Sequence, residues 1–243
     1  MLKNLTALVT NVRHFVGLPA ALEMSSQGAR VFCHDQSFSD GASREDFKNQ
    51  NPSVNVLAST DPLAALDEIE AGGASLDVLV NNDFFPAIRA PIDEASVDDM
   101  RNGFEALVIA PFKFAGAAAG RMKKQKSGKI IFVTSAAPVH GLPNYSMYVT
   151  ARGAANALAV TLAKELAPFN INVNAIAPNY VESESYFPEK LRNDPEFISK
   201  MASKVPLKRL GKPEEVASTI AFLASPKANF MTGLVLPFAG GWA

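Results

Sequence analysis

A single cysteine, Cys33, stands in 243 residues, so no internal disulfide can form and a reducing compartment, the cytoplasm, is expected. Neither sign of charge is in excess: 23 Lys and Arg stand against 24 Asp and Glu. That balance excludes the basic face of a nucleic-acid binder, an acidic tail and a polybasic membrane patch. No apolar run reaches the ~18 residues needed to span a bilayer. The opening MLKNLTALVTNVRH reads as a strand and turn rather than a targeting segment. The histidines His14, His34 and His140 are isolated from other side chains at ligand spacing, so no metal site is expected. No composition shift, low-complexity tract or repeat divides the chain, and residues 1–243 read as one domain.

What is present is an alternation of short apolar runs and amphipathic stretches. Leu5 to Thr10, Arg30 to Cys33, Val54 to Ala58, Leu76 to Val80, Lys129 to Thr134, Ile171 to Ala177 and Leu234 to Phe238 are the expected strands. Helical patterns lie between them, near Leu18 to Gln27, Ser43 to Gln50, Pro62 to Gly72, Val97 to Lys124, Ser146 to Phe169 and Pro213 to Ala224. Strand–helix alternation of this kind predicts an α/β fold, a Rossmann-like doubly wound three-layer sandwich on a seven-stranded parallel sheet. Pro178 to Asp194 is the one long irregular stretch, of the length that binding loops and lids have.

The stretch TSAAPVHGLPNYSMYVTAR, from Thr134 to Arg152, carries the chemistry. Ser135 follows a buried strand, at the sheet edge where ligand crevices form. Tyr148 and Arg152 are four apart on the next helix and share a face. A phenol titrates near pH 10, so a tyrosine working as a base near neutrality needs its anion stabilised by roughly 3–4 kcal/mol. A guanidinium one turn away supplies much of that, because it stays charged and favours the phenolate. Ser135 would add a neutral donor to a substrate oxygen. The spacing alone is equally that of a tyrosine–arginine contact on a helix surface.

Glycine is missing where this fold most often needs it. A dinucleotide pyrophosphate sits on the turn after the first strand, where glycines let backbone N–H groups approach the phosphates. Here the turn is Thr10-Asn11-Val12-Arg13-His14-Phe15-Val16-Gly17, with one glycine, and Phe15 fills the volume a pyrophosphate would take.

Ser135, Tyr148 with a basic residue four later, Asn81-Asn82 after the fourth strand, Asn174-Ala175-Ile176-Ala177-Pro178 after the sixth, Val205 to Glu215, and Gly240-Gly241 resemble, in order, the short-chain dehydrogenase/reductase superfamily. The departures carry as much information as the matches. Arg152 stands in place of that superfamily's lysine, Asp83-Phe84 in place of Ala-Gly, Leu107 in place of an asparagine, and Asn179-Tyr180 after Pro178 in place of glycine. Together with Thr10 to Phe15, Cys33-His34-Asp35 and Pro178-Asn179-Tyr180, they are similar to the halohydrin dehalogenases, cofactor-free relatives of those oxidoreductases.

The resemblance implies a lyase that turns vicinal haloalcohols into epoxide, halide and a proton, and that opens epoxides with small anions such as azide, cyanide and nitrite. It implies Ser135, Tyr148 and Arg152 as the catalytic triad, and no nicotinamide cofactor. It implies a halide pocket from Phe15, Pro178, Asn179, Tyr180, Val181 and Phe187, with Asp83 supporting the loop through Asn179 or nearby backbone. Phe84, Pro138, Leu142, Asn144 and Tyr186 would shape the substrate pocket. The long helices Val97 to Lys124 and Ser146 to Phe169 would pair into a homotetramer, a dimer of dimers. Two other readings remain open on the residues. One is an NAD(P)-dependent oxidoreductase with an atypical turn, favoured by Asp35 near the end of the second strand, where an acid would hold a ribose. The other is an inactive scaffold.

Overall fold

The computed structural model describes residues 1–184 and 186–243. Seven parallel strands, β1 (Thr6–Val9), β2 (Arg30–Cys33), β3 (Asn55–Val56), β4 (Val78–Asn81), β5 (Gly128–Val133), β6 (Ile171–Pro178) and β7 (Val235–Phe238), lie in the order β3-β2-β1-β4-β5-β6-β7. The order reverses between β1 and β4, and that switch point opens a crevice at the carboxyl ends of the strands.

Side chains alternate across the sheet, and both faces are buried, which is why the strands read as continuous apolar runs. Val9, Val31, Val80, Val133 and Ile176 pack on one face beneath α1 (Gly17–Ser26) and α10 (Pro213–Ala224). Leu8, Phe32, Leu79, Phe132 and Val173 fill the other, beneath α3 (Pro62–Ala71), α5 (Ala110–Gln125) and α7 (Ser146–Leu166). α2 (Gly41–Gln50) caps the edge near β3. No helix among the described residues is long and apolar enough to cross a membrane.

The expected strands are found, with β3 shortened to two residues at the sheet edge. The expected helix Val97 to Lys124 is instead α4 (Val97–Phe104), a π-helical segment Glu105–Ile109, and α5. Pro111 has no N–H to give to Leu107, and the Ala110 N–H reaches back to Glu105 O, so the extra residue is absorbed just before the proline. Pro168 likewise ends α7 at Leu166 and leaves a 3₁₀ turn, Ala167–Phe169.

Three short helices lie outside the sequence expectation: α6 (Ala137–His140), α8 (Glu189–Arg192) and α9 (Pro195–Ser203). α9 carries a readable start signal, since Asp194 accepts hydrogen bonds from the N–H groups of Glu196 and Phe197 and Pro195 occupies the first turn.

Candidate active site

The carboxyl ends of β4, β5 and β6 deliver the candidate residues, and α7 brings the base. Ser135 lies two residues past β5 and is buried, with its Oγ accepting the Ala137 N–H at 3.1 Å. Tyr148 and Arg152 lie in the first two turns of α7, and Arg152 Nε donates to the Tyr148 hydroxyl at 3.2 Å. Arg152 is 2 % exposed, and no carboxylate pairs with it among the described residues. Its remaining donors go to Val133 O at 3.1 Å, Asp83 O at 3.0 Å and the Tyr186 hydroxyl at 3.1 Å. The two carbonyls sit at the ends of neighbouring strands and hold the planar fork in one orientation.

A guanidinium buried without a carboxylate acts mostly on what it touches. Burial pushes the Tyr148 phenol up, but the Arg152 charge and the hydroxyls of Tyr186 and Ser135 outweigh it, so Tyr148 ionises below its usual range. Burial opposes the Arg152 charge too, yet the adjacent phenols raise its affinity for the proton above the ordinary value. Tyr186 goes the other way: burial and the neighbouring Tyr148 push its pKa up, and it remains a neutral donor. The site therefore contains two phenols pushed in opposite directions, Tyr148 toward ionisation and Tyr186 away from it.

Asp83 is buried rather than solvated, and its partner is Asn11, whose Nδ2 donates at 3.0 Å, in place of the expected bond to Asn179. The β4 carboxyl end faces the first turn, and β6 lies two strands away, which decides the partner. Burial lifts the Asp83 carboxyl to about 7, against the Arg152 charge and the hydrogen bonds from Asn11 and from its own backbone N–H. The folded chain thus retains a proton that the unfolded chain releases near pH 4. Its contribution to stability is full below that pH and is lost as pH rises through about 7. Urea unfolding of the wild type is expected to lose a few kcal/mol between about pH 4 and pH 8 from this group. Asp83→Asn, which keeps an acceptor for Asn11, should flatten that slope, and an unchanged slope would refute the assignment.

Aromatic rings close the site. Tyr186 meets Phe15 edge-on at 5.4 Å, Phe84 at 5.5 Å and Tyr148 at 6.4 Å, and Phe84 stacks on His14 at 4.7 Å. Phe187, expected in the halide pocket, packs on Phe197 of α9 at 6.2 Å. Tyr186 N–H is held by Ser183 Oγ and Phe187 N–H by Ser183 O, and this turn sends the two consecutive rings in different directions. The central place of Tyr186, and the bond from Asn11 to Asp83, were not foreseen from the sequence.

At the end of β6, Tyr180 has φ 54, uncommon for a residue with a side chain. Pro178 O accepts the Ala136 N–H, and Val181 forms a bridge to Gly211. That bridge uses Gly211 N–H to Tyr180 O and Glu182 N–H to Gly211 O, leaving the Val181 N–H outside it. Asn179 Nδ2 is buried with no hydrogen-bond partner among the described residues. Around the entrance, Pro138 is in contact range of Gly153, Leu142 O accepts the Tyr145 N–H, and Asn144 O accepts the Ala90 N–H. Trp242 packs within its own chain on His140 at 4.7 Å and on Tyr180 at 5.6 Å.

A full-length comparison with known proteins bears on this arrangement. The family model described as enoyl-(acyl carrier protein) reductase matches residues 14–243. The chain belongs to the short-chain dehydrogenase/reductase superfamily. A curated relative within it, an uncharacterised oxidoreductase of Thermotoga maritima, is 32 % identical over 96 % of this chain and 95 % of that one. A solved dehalogenation enzyme is more similar, at 44 % identity and a TM-score of 0.96 with both chains covered in full. A halohydrin dehalogenase bound to ethyl (2S)-oxiran-2-ylacetate matches at 41 % identity and 0.93 over 97 % of this chain and 96 % of that one. These comparisons bear out the resemblance drawn from the residues.

The dinucleotide that the superfamily implies does not fit the turn of this member. The N–H groups of Val12, His14 and Gly17 are taken by His34 O, Asn11 O and His14 O, and Arg13 N–H is taken by Asp35 Oδ2. Asp35 accepts Ser37 N–H and Oγ at its other oxygen, so the carboxylate and these N–H groups are engaged in holding the turn itself. Gly17 serves packing, since a Cβ there would lie 2.7 Å from Val12 Cα and 2.8 Å from Asn82 Nδ2. Asn82 Nδ2 in turn donates to Asn11 O and His14 O and fixes the turn as it stands.

Proposed function

We propose that this member is a halohydrin dehalogenase, a carbon–halide lyase that closes vicinal haloalcohols to epoxides without a nicotinamide. The observation that carries the reading is Arg152, buried and in no salt bridge among the described residues, bonded to a tyrosine that it drives toward phenolate. Full-length likeness to two dehalogenases supports it from outside the site.

Ser135 and Tyr148 hold the substrate hydroxyl, and the Tyr148 phenolate removes its proton. The resulting alkoxide attacks the neighbouring carbon from behind, the C–O bond forms as the carbon–halogen bond breaks, and the halide leaves with the bonding pair. Tyr148 then returns its proton to solvent. No hydride moves. Run backwards, with protonated Tyr148 as the acid, the same groups open an epoxide with halide, azide, cyanide or nitrite.

The leaving halide needs donors in place of water. Asn179 Nδ2 and the Val181 N–H supply them, beside Pro178, the Tyr180 ring and Phe15. Phe84, Pro138, Leu142, Asn144 and Tyr186 bound the organic part of the substrate. Phe187 supports the loop through Phe197.

The chain works as a dimer of dimers in the cytoplasm. Val97, Met100, Ile109 and Phe112 along α4 and α5 are 63, 36, 38 and 55 % exposed, an apolar row suited to a helical interface with a second copy.

The test is halide release from a small vicinal chloro- or bromoalcohol at mildly alkaline pH with no nicotinamide added. Release at ordinary enzymatic rates is expected, with inhibition by added bromide. Absence of release from several such alcohols, with tight NAD(P) binding by calorimetry, would overturn it in favour of a dehydrogenase.

A further inference from the structure

Tyr186 occupies a position that chemistry reserves for a reactant. Its hydroxyl accepts Arg152 Nη2 at 3.1 Å, on the same guanidinium whose Nε donates to the Tyr148 hydroxyl at 3.2 Å, so the fork holds the two phenol oxygens side by side, and the Tyr148 oxygen is the atom that must accept the substrate's proton. Its ring is held edge-on by Phe15 and Phe84, and its N–H is tied to Ser183 Oγ at 3.1 Å. A substrate alcohol reaching Ser135 and Tyr148 has to enter the space beside the Tyr148 oxygen that the Tyr186 hydroxyl borders.

We infer that Tyr186 is a positioning residue that stands in for the substrate alcohol, its hydroxyl turning to the Tyr148 oxygen between turnovers and yielding that place to the substrate hydroxyl on binding. The inference rests on the dehalogenase reading for its kinetic part alone. The Tyr148 oxygen then has Arg152 and Tyr186 as donors in the free enzyme, and exchange of Tyr186 for the substrate hydroxyl leaves the number unchanged. Binding then proceeds without leaving the phenolate short of a donor in a dry site.

The groups that face Tyr148 can be named by element. Arg152 comes from its own helix, Ser135 from the end of β5 and Tyr186 from the loop after β6. Asp83 at the end of β4 acts on it through Arg152. Asp99 of α4 lines a cavity of about 10 Å³ that Tyr148 also borders. Tyr186 is the one hydrogen-bonding group among them that belongs to a loop rather than to the sheet edge or α7.

The decisive variant is Tyr186→Phe, which keeps the ring and removes the donor. Titration of the near-ultraviolet phenolate band of the free protein, against Tyr148→Phe as the blank, should move the base upward by about one to two pH units. The limb of kcat/KM, which reports the free enzyme, should move with it, while the limb of kcat, which reports the complex, stays at its wild-type position. Equal movement of both limbs would mean a contact kept throughout the cycle, and movement of neither a structural ring only; either overturns the inference. Ser183→Ala is the second variant, since it frees the turn and leaves every ring in place; a smaller shift in the same direction is expected, and an unmoved base in both variants also overturns it. The titration needs no substrate, so it decides the free-enzyme part even if haloalcohols prove not to be turned over.

Discussion

Tyr148→Phe is expected to lower halide release by about 10²–10⁴-fold, the usual contribution of a positioned general base. The variant removes one oxygen and leaves the ring. Arg152 keeps Val133 O, Asp83 O and the Tyr186 hydroxyl and loses only the partner of its Nε, so the variant should stay folded with a modest loss of stability. The loss should lie in kcat more than in KM, because the hydroxyl acts on the proton as it moves. Residual release would come from the halide pocket and Ser135 aligning the substrate. Full activity in the folded variant would show that another group is the base, and Tyr186, the one other phenol bonded to Arg152, would be the first to test.

Arg152→Leu should cost both activity and fold. It removes a buried cation whose four hydrogen bonds engage two carbonyls and two phenols. Val133 O and Asp83 O would be left without this donor, and a buried acceptor left unsatisfied costs about 1–3 kcal/mol. Burial would then be opposed at Tyr148 only by the Tyr186 and Ser135 hydroxyls, so its phenol would rise and serve poorly as a base near neutrality. Denaturant unfolding at one fixed pH measures the first effect, and the pH profile of any remaining halide release the second. Arg152→Lys separates them. A lysine keeps the charge but cannot span the four acceptors with one ammonium, so its rising limb should move to alkaline pH with a smaller stability loss. Wild-type stability in Arg152→Leu would mean that the two carbonyls find other donors.

Much of this was legible in the sequence, for reasons that differ by residue. The strands announced themselves because both faces of a parallel sheet are buried, so apolar runs such as Lys129 to Thr134 have only one use. Tyr148 and Arg152 could be paired because helical spacing fixes their geometry without reference to the rest of the chain. Phe15 was readable from the glycines its turn lacks. Other features depend on which strand ends meet, and spacing carries no information about that. Asn11 reaches Asp83 because β1 and β4 are neighbours across the switch point, whereas Asn179 leaves the sheet two strands further on. Tyr186 and Phe187 are adjacent in the chain and diverge in space through a turn centred on Ser183 that has no strong sequence signature. The π segment before Pro111 was hidden for another reason: the helical pattern continues through it, and the proline's missing N–H is absorbed by a register shift rather than a break.

Arg152 fastens the ends of two neighbouring strands through Val133 O and Asp83 O, while the groups proposed to surround the substrate's organic part sit on the segments near residues 84–90 and 138–144 and at Tyr186. Mutational tolerance is therefore divided unequally within one site. Lineages and laboratory libraries can drift widely along those loops, trading one haloalcohol or ring-opening anion for another, with little effect on whether the chain folds. The guanidinium has no such latitude: losing it removes chemistry and scaffold together, so selection for stability alone is enough to preserve it. New specificities should accumulate at the rim while the centre stays fixed.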